Sequence, residues 1–323
     1  ANREAEIIML SNTEQLSELE LAVLKTLIFF NLFSYPLTSY ELWRYLDVAI
    51  DFVELKPVLL NLLSTGKIVE KQGFYFLPGQ EKLLSIRQQR YHFANRKLKI
   101  AKRVTRLFRL LPSVKFVALS NLIGRHNLRD GSDIDLFIIT KKNRIWLTRL
   151  FCAGFMKILG QRPKPGNKKD KICLSFYVDE NHLDLSSLTN GDRDYYFNFW
   201  LAGLHPLYDA GIYHHQLMQA NAWLKKYLPN GDFLLNNQSY RESPRSWRAK
   251  VYSLSIIRRL VDLFEYWAEA WQLKIMPQAL KEKINLDSRV IIRAGVLKLY
   301  LVDRRQEFSD RYTEQVNKYF NAS

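Results

Sequence analysis

Two runs decide how this chain is read: Phe116-Val117-Ala118-Leu119-Ser120-Asn121-Leu122-Ile123-Gly124 and, after a variable loop, Gly131-Ser132-Asp133-Ile134-Asp135-Leu136-Phe137-Ile138-Ile139-Thr140. Val114, Phe116 and Ala118 alternate with Lys115, Val117 and Leu119, the period of a short strand. Asp133 to Thr140 is a second, apolar strand, and Ser120 opens a short helical turn between the two. Side chains at i and i+2 of a strand share a face, so Asp133 and Asp135 project together while Ile134, Leu136 and Ile138 fill the core behind them. Two carboxylates side by side repel unless a cation sits between them. Hard oxygen ligands select Mg²⁺ or Mn²⁺ rather than zinc. Two such ions roughly 3.5–4 Å apart can activate an attacking hydroxyl and stabilise a leaving pyrophosphate. The turn after Leu119 offers backbone N–H groups to a triphosphate, and the Ser120 hydroxyl can donate to a phosphate oxygen.

Upstream, the pattern is helical. An apolar helix over Leu21 to Phe33 stops at Pro36, and Thr38 or Ser39 caps a second helix carrying Leu42, Trp43, Tyr45 and Leu46. A third runs from Phe52 to Ser64. The segment from Lys67 to Leu77 then reads as a hairpin turning at Gln72-Gly73. Three helices followed by a hairpin make a winged helix-turn-helix. Its third helix carries Asp51 and Glu54 ahead of Lys56, a poor set for reading a DNA groove.

Between Lys82 and Arg129 there is no acidic residue, and Arg87 to Arg109 reads as one long basic helix ended by Leu111-Pro112. Arg96, Lys99, Arg103 and Arg106 on it are candidates for guiding a polyanion; a solvated face joining two domains is the plainer alternative. Downstream of the carboxylate strand come a helix over Ile145 to Gly160, a basic loop from Arg162 to Lys169, and two strands, Ile172 to Val178 and His182 to Leu185, turning at Asp179-Glu180-Asn181. Beyond Asp194 the chain reads as mostly helical. His214-His215 is a poor metal pair, because adjacent helical residues point about 100° apart.

Composition bounds the partners. Forty-eight Lys and Arg against 32 Asp and Glu leave a formal charge of +16 on 323 residues, a field that attracts polyanions. Two cysteines, Cys152 and Cys173, cannot staple a fold of this size, which fits a reducing, cytoplasmic location. The apolar run from Ile145 to Gly160 is interrupted by Arg149 and Lys157 and is too short to cross a bilayer, so no membrane partner is expected.

Strand, helical turn and Ser-Asp-Ile-Asp-Leu strand together resemble the DNA polymerase β-like nucleotidyltransferase superfamily, in its minimal bacterial form with an N-terminal winged helix. The matching residues are Ser120, Gly124, Ser132, Asp133 and Asp135, and the likeness covers roughly 113–190. One position departs: the family's Gly before the Ser is Leu119 here. The resemblance implies an α/β (α+β) nucleotidyltransferase core with a mixed sheet, an N-terminal winged helix-turn-helix and an all-helical C-terminal region. The corresponding segments are 1–80, 81–112 (the basic helix), 113–192 and 193–323.

The implied activity moves NMP from an NTP to an acceptor hydroxyl, a nucleic-acid end (RNA or DNA) by charge, with Asp133 and Asp135 holding two Mg²⁺ (or Mn²⁺). Ser120, Gly124, Arg125 and Ser132 would meet the nucleotide. A third carboxylate on a neighbouring strand is Asp184, with Asp179 the alternative, since turn aspartates have local roles. The segment His205-Pro206-Leu207-Tyr208-Asp209 would start a helical region beside the nucleotide. Two other readings stay open: transfer to a protein or small molecule, and a degenerate, non-catalytic relative that binds nucleic acid or a protein.

Overall fold

The computed structural model describes residues 16–120, 126–191, 194–231 and 255–321, with side chains from 259 onward in the last stretch. Among them it is a mixed α/β protein. In chain order the elements are α1 (Glu18–Asn31), α2 (Ser39–Tyr45), α3 (Leu55–Ser64), β1 (Val69–Lys71), β2 (Phe74–Phe76), α4 (Lys82–Phe108), β3 (Val114–Leu119), β4 (Ile134–Thr140), α5 (Ile145–Ile158), β5 (Ile172–Asp179), α6 (Tyr195–Ala202), β6 (His205–Asp209), α7 (Tyr213–Ala220), α8 (Ser255–Lys274), α9 (Gln278–Lys281), β7 (Val290–Arg293), β8 (Val296–Leu299) and α10 (Arg305–Asn321). Contacts divide the chain into two units: 1–87 with 224–231 and 307–323, and 88–223 with 232–306. No helix among the described residues is long and apolar enough to cross a membrane.

The first unit holds three helices and a hairpin in the expected order. Ser17 and Glu20 close a capping box on α1, and Thr38 and Glu41 close another on α2; each satisfies backbone donors that a bare helix start leaves open. Gln72 and Gly73 both take positive φ, 57° and 79°, the two-residue turn whose twist suits a hairpin, so Lys71 faces Phe74. Residues of α10 belong to this unit: Phe308 lies against Phe33, and Tyr312 against Phe29.

The second unit is built on a six-stranded sheet of order β6-β3-β4-β5-β8-β7, antiparallel except for β4 beside β5. One face carries Val117, Leu119, Ile134, Leu136, Ile138, Leu174 and Tyr177, in a core shared with α4, α5 and α8. Glu265 of α8 accepts hydrogen bonds from the N–H groups of Trp146 and Leu147, capping the start of α5. On the other face Phe137, Phe176 and Trp200 meet edge-on or stacked, with ring centroids 5.1–5.8 Å apart.

The C-terminal region is not all-helical. His205–Asp209 adds to the sheet as β6, beside β3, instead of starting a helix. Val290–Arg293 and Val296–Leu299 form a hairpin whose inner strand pairs with β5. The signal was present in Val290-Ile291-Ile292-Arg293-Ala294-Gly295-Val296: a β-branched run, then Gly295 at φ +70°. Because β8 occupies that flank of β5, the expected strand over 182–185 does not form. Leu183 and Leu185 are buried in a loop whose backbone is satisfied by one side chain: Asn221 Oδ1 accepts from the Leu185 N–H, and its Nδ2 donates to the Leu183 carbonyl.

Candidate metal centre

The site sits where β4 and β5 begin. The two strands run parallel with Asp135 opposite Cys173, so both starts lie at the same end of the sheet. Asp135 lies on β4 and Asp133 immediately precedes that strand; both are half-buried. Their carboxylate oxygens and the Cys173 sulfur all lie within 4.8 Å of one another. Cys173 Sγ is also 3.1 Å from the Ser175 hydroxyl.

A buried cation holds these strand starts together. Lys97 of α4 is fully buried, and its Nζ donates to the carbonyls of Asp130 (3.0 Å) and Ser132 (2.6 Å) and to Asp170 Oδ1 (2.7 Å). Arg96 pairs with Asp130 and Asp170, and Lys169 with Asp130. These partners hold the Asp130 carboxyl at about 2. The network fastens the loop before β4 to the loop before β5, and the Ile134 N–H donates to the Lys171 carbonyl (2.8 Å) to complete the join. Arg96, expected to guide a polyanion, is paired with two carboxylates here. Lys99, Arg103 and Arg106 are exposed along α4.

The phosphate half of the motif is built differently from expectation. Ser120 is 2% exposed; its N–H and hydroxyl both donate to the Asp135 carbonyl, at 2.9 and 3.2 Å. It prolongs the β3–β4 ladder and presents its hydroxyl to the strand. Leu119 lies in the core cluster, which accounts for a large apolar side chain at this position. Ser132 is only partly buried, and its hydroxyl donates to the Arg129 carbonyl. Gly124 and Arg125 lie outside the described residues.

Neither expected third carboxylate joins the pair. Asp184 is exposed in the loop after β5, where its Oδ1 accepts from the Ser186 N–H (2.8 Å), a local turn bond. Asp179 ends β5, six residues and about 20 Å of strand from Cys173. It is 1% exposed and accepts from the Asn143 and Asn181 N–H groups and from His182 Nδ1. The third group beside the pair is instead Cys173, opposite Asp135 on β5. The strand that carries it was expected over Ile172 to Val178, but a cysteine in an apolar strand reads as core.

Burial dominates the electrostatics. It pushes the Asp133 carboxyl up against the opposing pull of Lys168, Lys97 and Arg162. Burial, then the Asp135 charge, pushes the Cys173 thiol well above its usual range. Tyr196 of α6 and Tyr300, which follows β8, feel the same carboxylate: burial and then Asp135 push both phenols up, Tyr196 to about 12.

Three carboxylates around two Mg²⁺ are what the family resemblance implies. Magnesium demands oxygen ligands in near-octahedral geometry, and a thiol is a poor one. Two carboxylates and a thiol do not fit the two-magnesium arrangement. The chain matches no protein-family model, no curated protein and no solved structure.

Proposed function

We propose that this chain is a nucleotidyltransferase-like protein that binds nucleic acid and does not transfer nucleotides. The observation that carries this reading is that the group beside the Asp133–Asp135 pair is the thiol of Cys173 and neither expected carboxylate. Transfer needs a base or a metal at the acceptor hydroxyl, and the group found beside the two carboxylates is a thiol whose proton is held by burial and the Asp135 charge. Ser120, turned into the strand ladder, and Leu119, sunk in the core, support the same conclusion on the phosphate side.

The binding side of the proposal rests on charge. The formal charge is +16, and Lys99, Arg103 and Arg106 stand at i, i+4 and i+7, one exposed face of α4. A winged-helix role for the three helices and hairpin of the first unit fits such a partner. Binding of a labelled RNA and DNA pool, measured against salt, tests it. Replacing Lys99, Arg103 and Arg106 together by Ala should lower the slope of log K against log salt by about 2–3. An unchanged slope removes α4 from the interface.

A second reading, an active nucleotidyltransferase, is favoured by the converging Asp133–Asp135 pair. Incubation with each labelled NTP, Mg²⁺ or Mn²⁺ and pooled RNA, DNA and protein acceptors separates the two. The first reading expects no label on any acceptor; label that disappears in Asp135→Ala establishes the second.

A further inference from the structure

We infer that Asp133, Asp135 and Cys173 form a site for one thiophilic divalent cation of the zinc type, with a fourth position open to solvent. The inference rests on the reading that these residues no longer hold two magnesium ions. Zinc is bound by carboxylate oxygens at about 2.0–2.2 Å and thiolate sulfur at about 2.3 Å, and sites with three protein ligands keep an open fourth position. Tetrahedral coordination at those lengths sets an oxygen–sulfur separation of about 3.6 Å. The three ligand atoms already lie within 4.8 Å of one another, so rotamer adjustment closes the set without moving a strand.

The surroundings suit such an ion. Coordination breaks the Cys173 S–H bond, forms the metal–sulfur bond and releases the proton to solvent. Two carboxylates and a thiolate then carry three negative charges against the ion's two positive ones. Lys97, Lys168 and Arg162, whose charges act on Asp133, offset the remainder. The Ser175 hydroxyl, 3.1 Å from Cys173 Sγ, is placed to donate to the thiolate, the kind of outer contact that orients a ligand. The Lys97 clamp fixes the spacing of the two strand starts before any ion arrives. The other thiol, Cys152, is buried in the core, and burial alone pushes it up.

The test uses the full chain, stripped of metal with a chelator and titrated with Co²⁺. A thiolate-to-cobalt charge-transfer band is expected in the wild type and in Cys152→Ala, and none in Cys173→Ser. Zn²⁺ should displace the cobalt at stoichiometric amounts, and Mg²⁺ in large excess should not. Asp135→Asn should weaken Zn²⁺ binding by at least about a hundredfold with unchanged circular dichroism, while Cys173→Asp should turn the preference toward Mg²⁺ or Mn²⁺. No band at saturating Co²⁺, a band that persists in Cys173→Ser, or equal displacement by Mg²⁺ and Zn²⁺ overturns the inference. Nucleotide transfer with Mg²⁺ by the wild type would overturn the proposed function instead; a cobalt–thiolate band in the same preparation would leave the cation site standing.

Discussion

The parallel pair β4–β5 carries acidic residues at both ends, and the two ends do opposite things with them. At the far end, Asp179 is 1% exposed and its oxygens take two backbone N–H groups and His182. Beside it, Glu180 accepts from the Lys142 N–H and the Tyr213 hydroxyl. Those acids tie loops down. At the near end, Asp133 and Asp135 converge on each other and on Cys173, with no more than 4.8 Å between ligand atoms. Like charges brought together cost stability, while a carboxylate ringed by donors adds to it. One end spends its acids on loop donors, and the other gathers two of them beside a thiol.

That contrast can be broken by substitution. Asp179→Ala strips a buried acceptor from three donors, and urea unfolding should show a loss of about 3 kcal/mol with cobalt binding unchanged. Midway along the sheet, Lys298 of β8 lies opposite Phe176, 5% exposed and bound to Asp303 and the Ser288 carbonyl. Burial depresses its amine to about 8 from an ordinary 10.5. The unfolded chain therefore holds this proton more tightly, and stability should rise by up to about 3 kcal/mol as pH climbs from 8 to 10.5. Lys298→Met should flatten that rise; a rise of equal size in the variant assigns it elsewhere.

At the far end again, Gly295 has φ +70°, and a Cβ there would fall 1.8 Å from the His182 ring. Gly295→Ala should cost about 2 kcal/mol in the same unfolding assay. The smallest effect belongs to the near end: Asp135→Ala, which relieves repulsion, should change stability by no more than about 0.5 kcal/mol in metal-free buffer. A large loss there would mean that Asp135 is structural after all.

Much of this arrangement was legible in the residues. The Gln72-Gly73 turn, the Thr38 cap, strands β3 and β4 and the closeness of Asp133 and Asp135 all follow from local spacing. What escaped depends on partners distant in sequence. Lys97 looked like one more cation on a solvated helix, because its acceptors at 130, 132 and 170 belong to other elements. Leu183-Asp184-Leu185 has the alternation of a strand, but β8 had taken the edge it needed. Cys173 has the polarity of a core residue, and only the register against Asp135 brings it beside the carboxylates.

Parallel pairing also sets when the centre can exist. A parallel partner must return by a long crossover, here through α5 and the basic loop, before Asp135 and Cys173 become neighbours. Ion binding would thus report a late event in folding. A chain released before β5 docks would present two carboxylates and no thiol, and the metal would favour the finished sheet over every earlier form.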